Sequence, residues 1–232
     1  MKRRIAIITA RGGSKRIPGK NIREFCGKPI ISYSIRAALD SGLFEEVMVS
    51  TDSEEIASLA REYGAKVPFM RSEKNSGDYA TTVDVILEVL QEYGKFGREF
   101  DTAVCIYPTA PFVTAGKLTE AVQVLESQGH IEVMPVVRFS YPPQRGYVMQ
   151  GTQIAMQYPQ HRTTRSQDLE AVYHDAGQFY CFDVEQFVAC KGVFTDHIGP
   201  IVVSELEVQD IDSEEDWKLA ELKYQMMNNS KG

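Results

Sequence analysis

The chain has 232 residues, a hydrophobic fraction of 43% and a formal net charge of −7, which fits one large α/β domain with a full core. Cys26, Cys105, Cys181 and Cys190 are too far apart for a local zinc signature, and no apolar run reaches membrane-spanning length; a reduced, cytoplasmic protein with no membrane partner is expected, with Cys105 and Cys181 in the core. Residues 1–28 carry nine bases against one acid, a net +8 that leaves the remainder at −15; so acidic a body argues against a nucleic-acid partner, whereas the basic start points to a local anion site.

Arg4-Ile5-Ala6-Ile7-Ile8 is a β-branched apolar run and reads as a buried strand. A Gly/Pro-rich loop follows from Arg11 to Gly19, then a helix over 29–39 and a strand over 46–50. A helix over 52–63 is capped by Ser53 and ended by Gly64. Further on, the pattern predicts a strand over 66–69, a helix over 81–93, a strand over 102–107, a helix over 114–128 and a strand over 131–137. Alternating strands and helices of this length make a Rossmann-like, doubly wound, mostly parallel sheet. Ligands bind such sheets beyond the carboxyl ends of the strands. The loops 11–20, 71–78 and 107–112 each follow a strand and are candidates to meet in one crevice. Residues 138–175 break the rhythm with turn-rich, polar sequence such as Tyr141-Pro142-Pro143, too long for an ordinary connection. They read as a lid, or as an arm that packs on another subunit, inserted in a single domain over 1–232. Strands over 177–182 and 198–203 and a terminal helix over 212–226, with Ser213 as its cap, complete the chain; residues 228–232 are expected to fray.

Arg11-Gly12-Gly13-Ser14-Lys15-Arg16-Ile17-Pro18-Gly19-Lys20-Asn21 follows the first strand directly. Adjacent glycines let backbone approach a ligand closely, and Arg11, Lys15, Arg16 and Lys20 supply cationic donors that match phosphate oxygens. The loop is neither Walker A nor the dinucleotide fingerprint, so it suggests a triphosphate without hydride chemistry. Asp210-Ile211-Asp212 places two carboxylates on one side of an extended segment, which suits Mg²⁺, or else Asp212 helps to start the terminal helix. No Ser-His-Asp or Cys-His arrangement is evident, and the four histidines read as structural or surface groups.

The segment from Ile8 to Asn21 resembles the opening of the CMP-N-acylneuraminate synthetases, with eleven positions of unusual composition matching in order. The resemblance continues through Ser50-Thr51-Asp52, Tyr107-Pro108-Thr109-Ala110-Pro111 and Gly177-Gln178-Phe179-Tyr180 to Asp210-Ile211-Asp212. It implies a cytidylyltransferase that joins CMP from CTP to the anomeric hydroxyl of an acidic nine-carbon sugar. Arg11, Ser14, Arg16 and Lys20 would bind the phosphates, Gly12 and Gly13 would offer backbone donors, and Asn21 would touch the nucleoside. Lys20, with Arg11, would carry catalysis by stabilising charge on the α-phosphate and the departing pyrophosphate. Arg71 and the Ser76-Gly77-Asp78 turn would read cytosine and ribose, and Asp210 and Asp212 would hold Mg²⁺ (or Mn²⁺). The sugar would sit near Tyr107, Thr109, Gln178, Phe179 and Tyr180. Segment 138–175 corresponds to a dimerisation arm, which implies a homodimer with Arg162 and Arg165 candidates for the sugar carboxylate, in their own subunit or in trans.

Tyr107 stands where enzymes for N-acetylneuraminate usually show glutamine, and Ala176 where they show asparagine. A larger, more apolar group suits a deoxy sugar with acetamido substituents. On these positions the chain is most similar to the pseudaminic acid cytidylyltransferases, with N-acetylneuraminic or legionaminic acid as alternative substrates. A CMP-Kdo synthetase, a non-catalytic nucleotide-sugar binder and a Rossmann oxidoreductase are the competing readings. Retention of Lys20, Asp210 and Asp212 weighs against the binder.

Overall fold

The computed structural model describes residues 2–14, 16–192 and 196–229. Its strands are β1 (Arg4–Thr9), β2 (Glu24–Phe25), β3 (Lys28–Pro29), β4 (Glu46–Ser50), β5 (Thr102–Ile106), β6 (Glu132–Arg138), β7 (Tyr147–Gln150), β8 (Gln153–Met156), β9 (Tyr173–Asp175), β10 (Phe179–Asp183) and β11 (Ile198–Val203). Its α-helices are α1 (Ile31–Ser41), α2 (Glu54–Glu62), α3 (Thr82–Lys95), α4 (Ala115–Gln128), α5 (Val184–Ala189) and α6 (Glu214–Asn229). The main sheet runs β11-β6-β10-β5-β1-β4, with β9 also beside β6. β1 is parallel to β4 and β5, β11 is parallel to β6, and β10 runs antiparallel to both of its neighbours. The expected mostly parallel, helix-covered sheet is therefore present.

Local chemistry explains most boundaries. Ser53 caps α2 by accepting from the Ile56 N–H. Thr81 and Asp84 form a reciprocal capping box on α3, and Thr114 caps α4. The expected strand over 66–69 reduces to a single bridge between Met48 and Lys66. Pro68, with no N–H to give, ends the ladder there. Pro29 pairs with Glu24 in the small β2–β3 hairpin, so α1 starts later than its apolar period suggested.

Three apolar clusters hold the elements. Ala6, Ile8, Val49 and Val104 pack against α1, α2 and α4 on one sheet face. Ile5, Ile7, Ala103 and Cys105 pack on the other against Ile86, Val89 and Tyr93 of α3. Cys105 and Cys181 are both buried core residues. The third cluster ties Ile17 of the N-terminal loop to Phe112, Ile211 and Trp217, where Arg23 stacks over the Trp217 ring at 4.5 Å. This cluster fixes where the C-terminal segment meets the N-terminal loop. Residues 138–175 carry the β7–β8 hairpin, whose Tyr147, Met149 and Ile154 are exposed. Among the described residues no helix is long and apolar enough to cross a membrane.

Candidate active site

The loop after β1 lies across the start of α2. The Gly12 N–H donates to Asp52 Oδ1 at 2.7 Å, and a Cβ added at Gly12 would come within 3.1 Å of Ser53 Cβ. A side chain at Gly12 would press on Ser53, and the Gly12 N–H, an expected phosphate donor, is taken by Asp52. Asn21 is buried and donates from Nδ2 to the Arg11 carbonyl at 2.8 Å. Its side chain braces the loop from within. Lys15 lies outside the described residues.

The loop's cations meet two acids. Arg11 Nη1 lies 3.1 Å from Asp78 Oδ1, which joins the loop to the 76–78 turn. Arg16 pairs with Asp212, while Lys20 donates to the Ile211 carbonyl and lies 3.6 Å from Asp212 Oδ1. The separate stretches 11–20, 71–78 and 210–212 are thus brought together at the carboxyl end of β1. Ser14 and Gly13 sit on the same loop, and a Cβ at Gly13 would meet nothing within 4 Å.

Arg71 is buried, and donates from Nε to Ser50 Oγ at 3.0 Å and from Nη2 to the Ser50 carbonyl at 2.6 Å. Burial lowers its pKa, opposed by the nearby charges of Asp52 and Glu88; a guanidinium still keeps its charge. Burial would raise the Glu88 carboxyl, but hydrogen bonds from Ser72 and Asn75 outweigh it and hold it below its usual range. Glu88 thereby fixes the turn that follows Arg71.

Beside the loop opens a cleft of about 740 Å³, with Tyr107, Thr109, Asp175, Glu205, Asp210 and Lys223 among its walls. It exists because β9 pairs only with β6, after which the chain turns at Gly177 (φ +62°) and re-enters the sheet as β10. That φ is open to glycine at little cost. The turn lies at the end of β5, where the Tyr107 N–H donates to the Gln178 carbonyl at 2.9 Å. Tyr107 and Tyr180 meet edge to face, 5.6 Å between ring centres. Tyr180 donates to Asp175 Oδ2 at 2.5 Å, and the other Asp175 oxygen accepts from the Gly177 N–H at 2.7 Å. Burial raises both tyrosine hydroxyls, Tyr180 further through its bond to Asp175. Both are neutral donors at ordinary pH.

Two expected sugar contacts lie elsewhere. Phe179 is fully buried in the core with Ile106 and Cys181, because alternation along β10 turns it away from the face that Tyr180 occupies. Arg165 is exposed and pairs with Asp168 at 2.7 Å, three residues along its own 3₁₀ turn. Gln178 is buried; its Nε2 donates to the Glu207 carbonyl and its Oε1 has no partner. Sequence reasoning gave no role to Asp52, Asp175 or Lys223. Asp175 precedes the glycine turn and could have been found as its brace; Lys223 carries no local signal.

Asp210 and Asp212 flank Ile211, which is 1% exposed, so alternation turns both carboxylates away from the core. Asp210 borders the cleft and Asp212 faces Lys20 and Arg16. Two hard oxygen donors beside a phosphate-type loop fit Mg²⁺, which takes few protein ligands and fills its shell with phosphate oxygens and water. Among the described residues no group of three or more acidic, histidine or cysteine side chains could hold a metal unaided.

A cytidylyltransferase family model matches residues 5–189. The pseudaminic acid cytidylyltransferase of Campylobacter jejuni is 39% identical, over 97% of this chain and 98% of that protein. The CMP-N,N'-diacetyllegionaminic acid synthase of Legionella pneumophila is 34% identical, over 94% of each. A CMP:2-keto-3-deoxy-manno-octonic acid synthetase solved with CTP superposes with a TM-score of 0.70 at 17% identity, over 98% of this chain and 99% of that one. The 4-diphosphocytidyl-2C-methyl-D-erythritol synthase of Anaerococcus prevotii gives 0.64 at 16% identity, over 97% of this chain and 99% of that one. The last two likenesses establish the fold alone.

Proposed function

The chain belongs to the cytidylyltransferase family and is a CTP-using nucleotidyltransferase; from that premise we propose that it makes CMP-pseudaminic acid in the cytoplasm. The anomeric hydroxyl oxygen attacks the α-phosphorus of CTP. The bond from that phosphorus to the β-phosphate bridging oxygen breaks, pyrophosphate leaves, and the hydroxyl proton passes to solvent. Little covalent chemistry is asked of the protein; positioning and electrostatics supply the rate.

Arg11, Arg16 and Lys20 would grip the phosphates, with Lys20 and Arg11 offsetting charge that builds on the α-phosphate and pyrophosphate. Ser14 and Gly13 would contribute donors from the same loop. Arg71, Asn21 and the turn at Asp78 would form the nucleoside side. Asp210 and Asp212 would hold Mg²⁺ or Mn²⁺, which when bound supplies further neutralisation of phosphate charge. The observation that carries the sugar assignment is Tyr107 on the cleft wall, in edge-to-face contact with Tyr180, taken with the 39% identity to the Campylobacter enzyme. Thr109 and the Gln178 turn would line the same pocket. The exposed apolar side chains of the β7–β8 hairpin support segment 138–175 as an arm seated on a second copy, which would bring Arg165 to the partner's cleft.

Pyrophosphate release with CTP and Mg²⁺ tests this, with pseudaminic, N-acetylneuraminic and legionaminic acids compared. Turnover confined to pseudaminic acid is expected. Preference for N-acetylneuraminic acid would keep the reaction and overturn the sugar.

A further inference from the structure

The cleft that would take the sugar is acidic. Asp175, Glu205 and Asp210 line it, and among the described residues that line it the only lysine or arginine is Lys223. An acidic sugar entering such a cleft needs a positive group to face its carboxylate. Arg165, which would reach the cleft only from a partner's arm, pairs with Asp168 and does not line the cleft of its own chain.

Lys223 projects from α6 into the wall of the cleft. Its Nζ donates to the Val208 carbonyl at 2.7 Å and to Gln209 Oε1 at 3.0 Å. Both acceptors are neutral, so two of the three N–H bonds are fixed; the nearest carboxylate influence is the charge of Glu205 on the same cleft wall, and among the described residues no carboxylate forms an ion pair with Lys223. An ammonium oriented by two bonds, with a third N–H left over, is pre-organised for one more acceptor. The cleft is the open space on its flank, and Asp210, one residue beyond Gln209, lines the same cleft.

Resting on the sugar-nucleotide reading above, we infer that Lys223 binds the carboxylate of the acidic sugar and selects acids over neutral sugars. It holds the ground-state charge of the sugar; the phosphate-facing cations are those of the N-terminal loop.

Steady-state kinetics of full-length Lys223→Met and Lys223→Arg, with each substrate varied in turn, test this. For Lys223→Met the KM for the acid should rise about 10- to 100-fold, the loss expected for a hydrogen bond to a charged group. The KM for CTP and the Mg²⁺ midpoint should stay within about twofold on that reasoning, and Lys223→Arg should recover most of the loss. The C1 amide of the sugar supplies a readout that a structural role would not move. Wild type should discriminate strongly for the acid over the amide, and Lys223→Met should lose that discrimination. An unchanged KM for the acid, or an equal rise for CTP and Mg²⁺, would reduce Lys223 to a strut for residues 208–210 and overturn the inference. Wild type active on no nonulosonic acid would overturn the substrate reading and this one with it.

Discussion

Ile211→Ala tests whether burial of one side chain sets the register of the two carboxylates beside it. Ile211 is 1% exposed and sits in the cluster formed by Ile17, Phe112 and Trp217. Removing a buried isoleucine down to alanine costs about 2–5 kcal/mol, the transfer loss plus the cavity left behind. At about 3 kcal/mol the melting temperature should fall by about 6–12 °C, using 2–4 °C per kcal/mol for a chain of this size. Stability alone would say nothing about the site, so a control is needed. Leu125→Ala in α4 removes a comparable buried side chain from the first core cluster and leaves the cluster that docks residues 210–212 intact. Both variants should melt early in calorimetry. Only Ile211→Ala should also raise the CTP KM and the Mg²⁺ midpoint, because Lys20 bonds the Ile211 carbonyl and Arg16 and Lys20 meet Asp212. Equal melting losses with unchanged CTP and Mg²⁺ dependence in both would refute the reasoning.

Arg71→Lys keeps the charge but loses the fork that reaches Ser50 twice; a loss of about 1.5–3 kcal/mol in denaturant titration is expected, with a raised CTP KM. Glu132, pushed up to about 7 by burial and then by the neighbouring Asp175 charge, holds a proton in the folded state that it loses on unfolding. Its contribution to stability is therefore present at low pH and fades as pH rises from about 4.5 through about 7. Glu132→Gln should flatten the slope of the urea midpoint across that window, and an unchanged slope would assign the pH dependence to another group. Asp212→Asn removes the acid that both Arg16 and Lys20 face; CTP binding without metal should tighten in calorimetric titration while Mg²⁺ no longer strengthens it.

How much of this was legible in the sequence depends on how local each signal is. The loop from Arg11 to Asn21 could be read because its glycines and bases are contiguous, and the helix starts because Ser53, Thr81 and Thr114 cap their own turns. Strand direction leaves no local trace, so the antiparallel course of β10 came only from the structure. The same strand shows why Phe179 and Tyr180 were not separated: a motif names adjacent residues, but the pleat sends them to opposite faces. α5, six residues long, is too short for apolar period to register. Lys223 looks like any solvated lysine on a terminal helix. Only the docking of Trp217 and Ile211 against Ile17 and Phe112 turns its helix toward the cleft.

The ion pairs of the N-terminal loop would couple phosphate gripping to metal holding. Arg11 faces Asp78, while Arg16 and Lys20 face Asp212, so three of the loop's cations are matched by acids drawn from two distant stretches of chain. These pairs are partly exposed, and such pairs are worth about 1 kcal/mol or less, so a triphosphate with bidentate access to two arginines can displace the acids. Asp212 would then lie beside phosphate oxygens with its former partners taken. Two like charges at that range repel unless a cation stands between them. The acid that offsets part of the loop's positive charge before CTP arrives would then become, on exchange of partners, half of a site for a divalent ion. Because Asp210 lies on the same side of the segment as Asp212 and borders the cleft proposed for the sugar, the same exchange would align the α-phosphate with the side from which the sugar hydroxyl would approach.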